Sequence, residues 1–259
     1  MLPRDDLLKT VEHRETAARV LDLAEQALKT WETALSDFLS PPELAEIQPL
    51  FAQLTELQVL ASGGYPQAER QRLAVTRSEL PLDPSQVDVA VLEIAGNFLF
   101  DTATHRDFLG AVLGTGINRS KVGDILVRGE RGAQAIVVPE MVTFLETHLT
   151  QVRSVPVTVR AIEISELKVP TPRTKSMTTV EASMRLDAIA SAGFGMSRSK
   201  MADLIASGSV RVNWKEVTQP SHQVNAGDLI AIRGKGRLSV GEVAITKKGR
   251  YRMDLTRFS

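Results

Sequence analysis

The chain has 259 residues, of which 43% are hydrophobic and 24% are charged, so it can fill the cores of one to three domains and is not globally disordered. It contains no cysteine, which excludes disulfides and thiolate metal sites. The amino terminus has no apolar signal core, and no run approaches 18 apolar residues. We therefore expect a cytoplasmic protein without a membrane span.

The formal net charge of zero hides a strong asymmetry along the chain. Residues 1–80 carry a net charge of −5 and residues 81–165 a net charge of −3, whereas residues 166–259 hold 16 Lys/Arg and 8 Asp/Glu. Positive charge concentrated at one end is typical of a nucleic-acid-binding segment beside an acidic remainder.

Residues 1–55 are predicted to form a helical N-terminal region. Apolar side chains recur at three- and four-residue spacing from Val11 to Phe38, which indicates one long helix. The pair Pro41-Pro42 is expected to end it, and a second helix interrupted at Pro49 is predicted from Glu43 to Leu60.

Residues 56–165 are predicted to form a central domain with a leading β-hairpin. The hairpin strands flank the turn at Gly63-Gly64. Residues 87–165 then read as strand, helix, strand, strand, helix, strand, the order of a ferredoxin-like split βαβ unit, which proteins of many functions share. Two interpretations of Tyr65, Arg70 and Arg72 at the hairpin tip stay open, namely contact with RNA and packing within the protein.

The first helix of this central domain leads into a basic stretch with several glycines. Thr104 is expected to cap the helix, and Gly110, Gly114 and Gly116 allow close backbone approach. A basic, hydroxyl-bearing loop follows. We predict RNA contacts in this stretch by His105, Arg106, Asn118, Arg119 and Lys121.

Residues 166–180 contain two prolines and show no periodicity, so a semi-extended linker is predicted there. The last domain then covers residues 181–259. A short apolar helix is predicted from Arg185 to Ala192, and a second helix from Arg198 to Ser207 with Ser197 as its N-cap. Gly208 suits the end of the second helix, and alternating short segments beyond it predict strands.

The polar side chains of this last domain suggest a ligand. Arginine forks and hydroxyl groups both donate to phosphate oxygens, so a cationic cluster with neutral donors suits RNA. A single exposed cation is usually just solvated, but a cluster on a helix and turn favours binding. The predicted RNA-binding residues here are Arg185, Ser197, Arg198, Lys200, Arg211, Asn213, Lys215, Arg233, Lys235 and Arg237.

The order RLD…SRSKMADLI.SG.V.VN…GD.I.IRGKGR, from residue 185 to residue 237, resembles the S4 RNA-binding domain. The resemblance implies that two helices and the following turn grip structured RNA. It carries over to Arg185, Ser197, Arg198, Lys200, Asn213 and Lys215. The family often has glycine after the asparagine, whereas Trp214 stands here, which changes the turn or offers a ring for base stacking.

Nearly the whole chain resembles the YlmH family of bacterial RNA-binding proteins, through GGYPQAER, THRDFLGAVLGTGI.RSKVGDI and the RLD…VNWK…RGKGR end in that order. One photosynthetic branch of this family is labelled photosystem II S4 domain protein. The resemblance implies a non-catalytic, monomeric protein that binds rRNA and tRNA, acting on a large ribosomal subunit with a stalled peptidyl-tRNA in translation rescue and quality control. The implied fold is α+β, with an N-terminal helical segment, a central ferredoxin-like split βαβ domain and a C-terminal S4-type α/β RNA-binding domain.

An RNA-modifying enzyme guided by an S4 domain, of the pseudouridine synthase or methyltransferase type, is the alternative. Pseudouridine formation requires a catalytic aspartate, for which Asp101 and Asp107 are the candidates near basic residues. Methyl transfer requires a glycine-rich cofactor loop after a strand, and no such motif is present. We therefore expect no catalytic residues, cofactor or metal.

Overall fold

The computed structural model of the protein describes residues 2–9, 11–171 and 174–258. The chain divides into two compact units, residues 1–170 and residues 171–259. The fold mixes helices and strands throughout, as the sequence predicts. Within the described residues, no helix combines the length and apolar character needed to cross a bilayer.

The first unit opens with helices and a β-sheet, whereas the sequence predicted helices alone for residues 1–55. The predicted helix from Val11 to Phe38 is wrong in its last eight residues, because Trp31 takes the left-handed conformation (φ 60°) and ends the helix. The residues after it pair with a strand from much further along the chain. The elements are α1 (Arg4–Leu8), α2 (Arg14–Thr30), β1 (Ala34–Leu39), α3 (Pro41–Phe51), β2 (Leu57–Ser62) and β3 (Gln71–Arg77).

The proline pair begins α3 instead of ending the preceding helix. Proline fits the first helical positions because its missing N–H would have no helical partner there. Ser40 and Glu43 complete the start with a capping box, in which the Glu43 carboxylate accepts from the Ser40 backbone N–H at 2.7 Å. The predicted helix to Leu60 therefore ends at Phe51, and β2 follows.

The predicted hairpin is present, and it belongs to the N-terminal layer. Its strands β2 and β3 form a three-stranded sheet with β1 in the order β1-β3-β2. The hairpin was predicted to lead the central domain of residues 56–165, but its strands pair with β1 of the N-terminal layer instead. Helix α2 packs onto this sheet through one apolar face made of Ala17, Val20, Leu21, Ala24 and Ala27.

The ferredoxin-like central segment is confirmed. Its sheet has the order β5-β6-β4-β9 with every pair antiparallel, as a split βαβ unit requires. A two-stranded hairpin, β7 with β8, precedes its last strand. The elements are β4 (Ala90–Ala95), α4 (His105–Gly114), β5 (Val122–Val127), β6 (Gly132–Val137), α5 (Val142–His148), β7 (Gln151–Val152), β8 (Val155–Pro156) and β9 (Thr158–Ile162).

The predicted linker over residues 166–180 is wrong in its second half. Thr174–Glu181 is strand β10, and all eight of its residues pair with the last strand of the chain. Its mainly threonine and charged side chains are largely exposed, so no apolar alternation marked it. Pro172 and Arg173 lie outside the described residues.

The second unit is a six-stranded antiparallel sheet with two helices on one face. The predicted helix pair is confirmed, as is the left-handed Gly208 (φ 72°) behind the second helix. The strand order is β10-β15-β14-β13-β11-β12. The elements after β10 are α6 (Leu186–Phe194), α7 (Arg198–Ala206), β11 (Val210–Val212), β12 (Lys215–Glu216), β13 (Leu229–Ile232), β14 (Gly236–Ile245) and β15 (Tyr251–Phe258).

Helix α6 approaches the sheet too closely to carry a side chain at Gly193. A Cβ atom at this position would lie 2.2 Å from a Leu238 methyl carbon, and Leu238 is fully buried. We predict that Gly193→Ala destabilises the protein by about 1–3 kcal/mol through overpacking. Urea unfolding followed by circular dichroism measures the change.

Gly110→Ala on α4 is the matched control, because no atom lies within 4 Å of the added Cβ and the residue is helical. It should stabilise the protein by about 0.5–1 kcal/mol. Equal stability changes in both variants would contradict the packing argument.

Candidate nucleic-acid interface

A buried carboxylate arranges the cations at the start of both S4-type helices. Asp187, in the first turn of α6, is 5% exposed. It accepts two hydrogen bonds from Arg185, at 3.1 and 2.9 Å, and one from Arg198 at 3.1 Å. The first turns of α6 and α7 are therefore tied together, and the side chains of Arg185 and Arg198 remain 37% and 58% exposed.

The ionised state of Asp187 is favoured by these contacts. Burial opposes ionisation, but the hydrogen bonds and charges of Arg185 and Arg198 outweigh it, so the pKa of the carboxyl lies below its ordinary value. One carboxylate offsets only one of the two positive charges. The pair thus keeps a net positive charge and unused N–H donors toward solvent.

The start of α7 adds further donors on the same side of the unit. The Ser197 hydroxyl accepts from the Lys200 backbone N–H at 3.4 Å, so the predicted N-cap is confirmed. Lys200 is exposed, and no described residue forms an ion pair with it. Met201 and Ile205 of the same helix are fully buried. The helix therefore packs its apolar side on the core and leaves Lys200 facing solvent.

The turn between β11 and β12 is of the type that hairpins with two-residue loops favour. Asn213 and Trp214 both have positive φ, 48° and 69°, as a type I′ turn demands. The Asn213 side chain donates to Asp228 at 2.8 Å and accepts from the Leu229 backbone N–H at 2.9 Å. The asparagine therefore has a structural task, while Lys215 beside it is exposed.

The remaining predicted cations of this unit lie elsewhere. Arg211 alternates with buried Val210 and Val212, so it lies on the sheet face away from the helices, and Arg237 lies on the same face two strands along. Arg233 and Lys235 are exposed in the turn between β13 and β14. The predicted single cluster is thus divided among the helix starts, the outer sheet face and this turn.

In the central segment, the predicted basic loop contacts the N-terminal layer. Lys121 donates to Asp37 at 2.6 Å, and Ser120 donates to the other oxygen of the same carboxylate at 2.9 Å. The Arg119 guanidinium donates to the backbone carbonyls of Val122 and Gly123. Burial lowers the pKa of Arg119 to about 10, and the neighbouring charge of Arg70 adds to this.

Three predicted residues of the central segment are open to solvent. His105 and Arg106 form the exposed first turn of α4. A capping box made by Thr104 and Asp107 holds this turn, with a hydrogen bond of 2.8 Å from the Thr104 backbone N–H to Asp107. Asn118 is also exposed, and its side chain caps the turn Arg119–Lys121.

The hairpin-tip residues pack inside the first unit. The Tyr65 hydroxyl donates to Asp124 at 2.8 Å. Arg70 donates to Phe38 O at 2.8 Å, and Arg72, 5% exposed, donates to Ser36 O at 2.7 Å. Of the two open interpretations, packing is the one the geometry supports.

A cavity of about 550 Å³ lies within the first unit between α2, β1 and the Asn118–Ser120 segment. Its walls combine the arginines at positions 70 and 119 with the apolar side chains of Val20 and Leu23. The predicted residues Asn118 and Arg119 therefore line this cavity, which is large enough to hold a ligand.

The aspartates considered for catalysis are engaged in structural contacts. Asp101 accepts from the Arg153 guanidinium at 2.7 Å and from Ser154, while Asp107 belongs to the α4 cap. The pKa of each carboxyl lies below its ordinary value, chiefly because of hydroxyl hydrogen bonds from Ser154 and Thr104 respectively. In the part of the chain that the structure describes, no three His, Asp or Glu side chains cluster as a metal site would require.

Sequence reasoning missed the role of Asp187. The order Arg-Leu-Asp was one signal for the contact with Arg185, because an arginine two residues before an aspartate at a helix start can reach its carboxylate. The second contact, from Arg198, depends on how α6 and α7 pack, since those residues are 11 positions apart.

Residues 184–230 match the S4 domain, which makes this protein one of the S4 class of RNA-binding proteins. Residues 12–80 match the family described as "YlmH, N-terminal", and residues 83–166 match the "Putative RNA-binding domain in YlmH". The Ribosome-associated protein quality control protein P2 of Bacillus subtilis is 34% identical over 224 residues, 86% of each chain. The chain belongs to the YlmH family.

Two further proteins are similar to this chain, one in its fold and one in a short segment of sequence. The cell division protein ylmH from Streptococcus pneumoniae has a similar structure, with a TM-score of 0.53 over 61% of this chain and 94% of that one; at 21% identity it supports the fold alone. The small ribosomal subunit protein uS4 of Pseudomonas savastanoi is 49% identical over 45 residues, 17% of this chain and 22% of that protein. The shared part with uS4 is therefore a single segment.

We predict that Asp187→Asn destabilises the protein by about 1–3 kcal/mol near neutral pH, because it removes the charge that both guanidinium groups share. The folded pKa is depressed, so this contribution is complete above about pH 4–5 and is lost as the pH falls through the folded value. The difference between variant and wild type should therefore shrink below pH 4.

Urea unfolding at pH 7 and at pH 3 measures both values. Asp203→Asn, at an exposed aspartate of α7 without an ion pair to a described residue, is the matched control and should change little at either pH. A constant Asp187→Asn effect across this range would contradict the ion-pair account.

Proposed function

We propose that the protein is a non-catalytic RNA-binding factor of the ribosome. Its target is the large subunit that carries a stalled peptidyl-tRNA, in rescue and quality control of translation, which places its work in the cytoplasm. The observation that carries the proposal is the Asp187 arrangement, which holds Arg185 and Arg198 side by side with net positive charge at the start of two S4-type helices. The Bacillus subtilis relative, whose name says that it is ribosome-associated, supports the ribosome as the source of this RNA.

The S4-type unit supplies phosphate contacts in this proposal. Arg185, Arg198 and Lys200 offer charged donors from the two helix starts, and the exposed Lys215 adds one from the following turn. Ordered guanidinium groups suit phosphate, because their fork donates two parallel hydrogen bonds. Asn213 acts indirectly by fixing the turn that carries Lys215.

The central segment supplies a second RNA contact, for example to tRNA. His105, Arg106 and Asn118 are its exposed donors. Arg119 and Lys121 support the loop from inside through their contacts with backbone carbonyls and Asp37.

We predict that Lys200→Gln with Lys215→Gln weakens binding to purified large subunits and flattens its salt dependence. Two lost phosphate contacts reduce the slope of log affinity against log salt by about 1.4–1.8. Neither lysine forms an ion pair with a described residue, so the fold should be preserved. Sedimentation with separated ribosomal subunits, at several salt concentrations, measures the effect.

Lys9→Gln with Lys29→Gln is the control, because it removes the same charge from exposed lysines paired with Asp6 and Glu25. Its slope should equal that of the wild type. Large subunits with and without peptidyl-tRNA, compared in the same assay, test the ribosomal state. Equal binding to both would contradict the stalled-complex target, and unchanged slopes in the first variant would reject the S4 surface.

Trp214 is proposed to stack on an RNA base. Its left-handed conformation is unfavourable by about 1–2 kcal/mol for a residue with a side chain, yet the position holds the largest side chain there is. We predict that Trp214→Gly keeps the thermal midpoint within a few degrees, because relief of this strain offsets lost packing.

The same substitution should weaken binding to large subunits about tenfold or more, since stacking on an aromatic ring contributes about 1–3 kcal/mol per base. Trp214→Phe keeps a ring and should retain most of the affinity. Wild-type affinity in the glycine variant would reject the stacking role.

A further inference from the structure

The last hairpin of the second unit runs past the core. Its final rung pairs Ile245 of β14 with Tyr251 of β15, and Ile245 is 72% exposed. Nearer the middle of the hairpin, Val240 and Leu255 are buried against the helices. Val243 and Tyr251 still pack against this unit's core, whereas Ile245 and the tip beyond it do not contribute to it.

The hairpin tip, residues 246–250, is nevertheless well ordered by hydrogen bonds. The Thr246 backbone N–H donates to Arg250 O at 2.7 Å, and the Gly249 N–H donates to Thr246 O at 2.9 Å. The Thr246 hydroxyl accepts from the Arg250 N–H at 3.0 Å, and Gly249 supplies the left-handed position (φ 69°). A fixed turn loses little conformational freedom when a ligand binds it.

The tip and the second residue of β15 carry a concentrated positive charge. Lys247, Lys248, Arg250 and Arg252 lie within six residues and are all exposed. No described carboxylate lies within ion-pair distance of any of them, in contrast with Lys121 and Lys9 of the first unit. Asp254, the nearest acid in sequence, is engaged by the Thr178 hydroxyl at 2.7 Å.

Three uncompensated cations on a preformed turn, with Arg252 close by in β15, repel one another without a benefit to folding, and they attract a polyanion. We propose that this tip is a second phosphate-binding site of the S4-type unit, and that it contacts the backbone of ribosomal RNA. The site lies outside residues 184–230, the part that matches the S4 domain. The RNA partner rests on the proposed function, because the same unit carries the S4-type surface.

The contact is sequence-independent in its chemistry. Lysine and arginine ends reach phosphate oxygens through charge-assisted hydrogen bonds and release counterions, but they read no base edge. The tip thus adds affinity and fixes orientation, while recognition of a particular RNA site belongs to the helices and the Trp214 turn.

The first test is the salt dependence of binding to purified large ribosomal subunits. Lys247→Gln with Lys248→Gln should reduce the slope of log affinity against log salt by about 1.4–1.8, as two lost phosphate contacts require. Lys9→Gln with Lys29→Gln removes the same charge elsewhere and should leave the slope unchanged. A tip variant with the wild-type slope overturns the inference.

This test separates the inference from the function on which it rests. If Lys200→Gln with Lys215→Gln lowers the slope and the tip variant does not, the S4 surface stands and the tip site is rejected. If the wild type itself fails to bind large subunits, the proposed function fails first. Thermal melting of each variant, expected to match the wild type because these side chains are exposed, excludes unfolding as the cause.

The second test uses the absence of cysteine from the chain. Lys248→Cys introduces a single thiol at the tip, which can carry a photoactivated crosslinker. In complexes with large subunits, the Lys248→Cys variant should crosslink to ribosomal RNA at a defined site, while the Lys29→Cys variant should not. Crosslinks to ribosomal proteins alone, or equal RNA crosslinking from both positions, would overturn the RNA contact.

Discussion

The contact on which the candidate interface depends is the buried carboxylate of Asp187 between two guanidinium groups. Without it, Arg185 and Arg198 would repel each other at the helix starts. With it, both side chains are held in one orientation, and a net positive charge remains for a ligand. The backbone of the same residue is also fixed, since its N–H donates to Pro220 O at 3.1 Å. One residue therefore links α6, α7 and the segment before β13.

Charge compensation separates the cations of this protein into two groups. In the first unit, Lys121 is neutralised by Asp37, and Arg70 and Arg72 donate to backbone carbonyls. These side chains hold layers of the protein together. In the second unit, with its excess of basic residues, most lysines find no described acidic partner. Several cations of the acidic part of the chain are thus structural, whereas the exposed lysines of the basic part are available to a polyanion.

Sequence reasoning succeeded where the determining interactions are local. The N-cap at Ser197, the left-handed Gly208 and the order of the central elements depend on neighbouring residues or on short-range periodicity. It failed where distant pairing decides. Ala34–Leu39 continued an apolar helical pattern and became a strand because β3 pairs with it, and the polar strand β10 exists because β15 lies alongside.

The amino-acid sequence by itself determined the order of the central and S4-type elements, the basic carboxy-terminal third and the residue types of the candidate interface, because composition, capping and periodicity act within a few residues. Only the tertiary structure decided which cations meet. It joined Arg185 and Arg198 through Asp187, turned Arg211 and Arg237 to the other sheet face, and engaged Lys121 with Asp37. The physical reason is that strand register and helix packing set the direction and the partner of each side chain, and both arise from contacts between residues far apart in the chain.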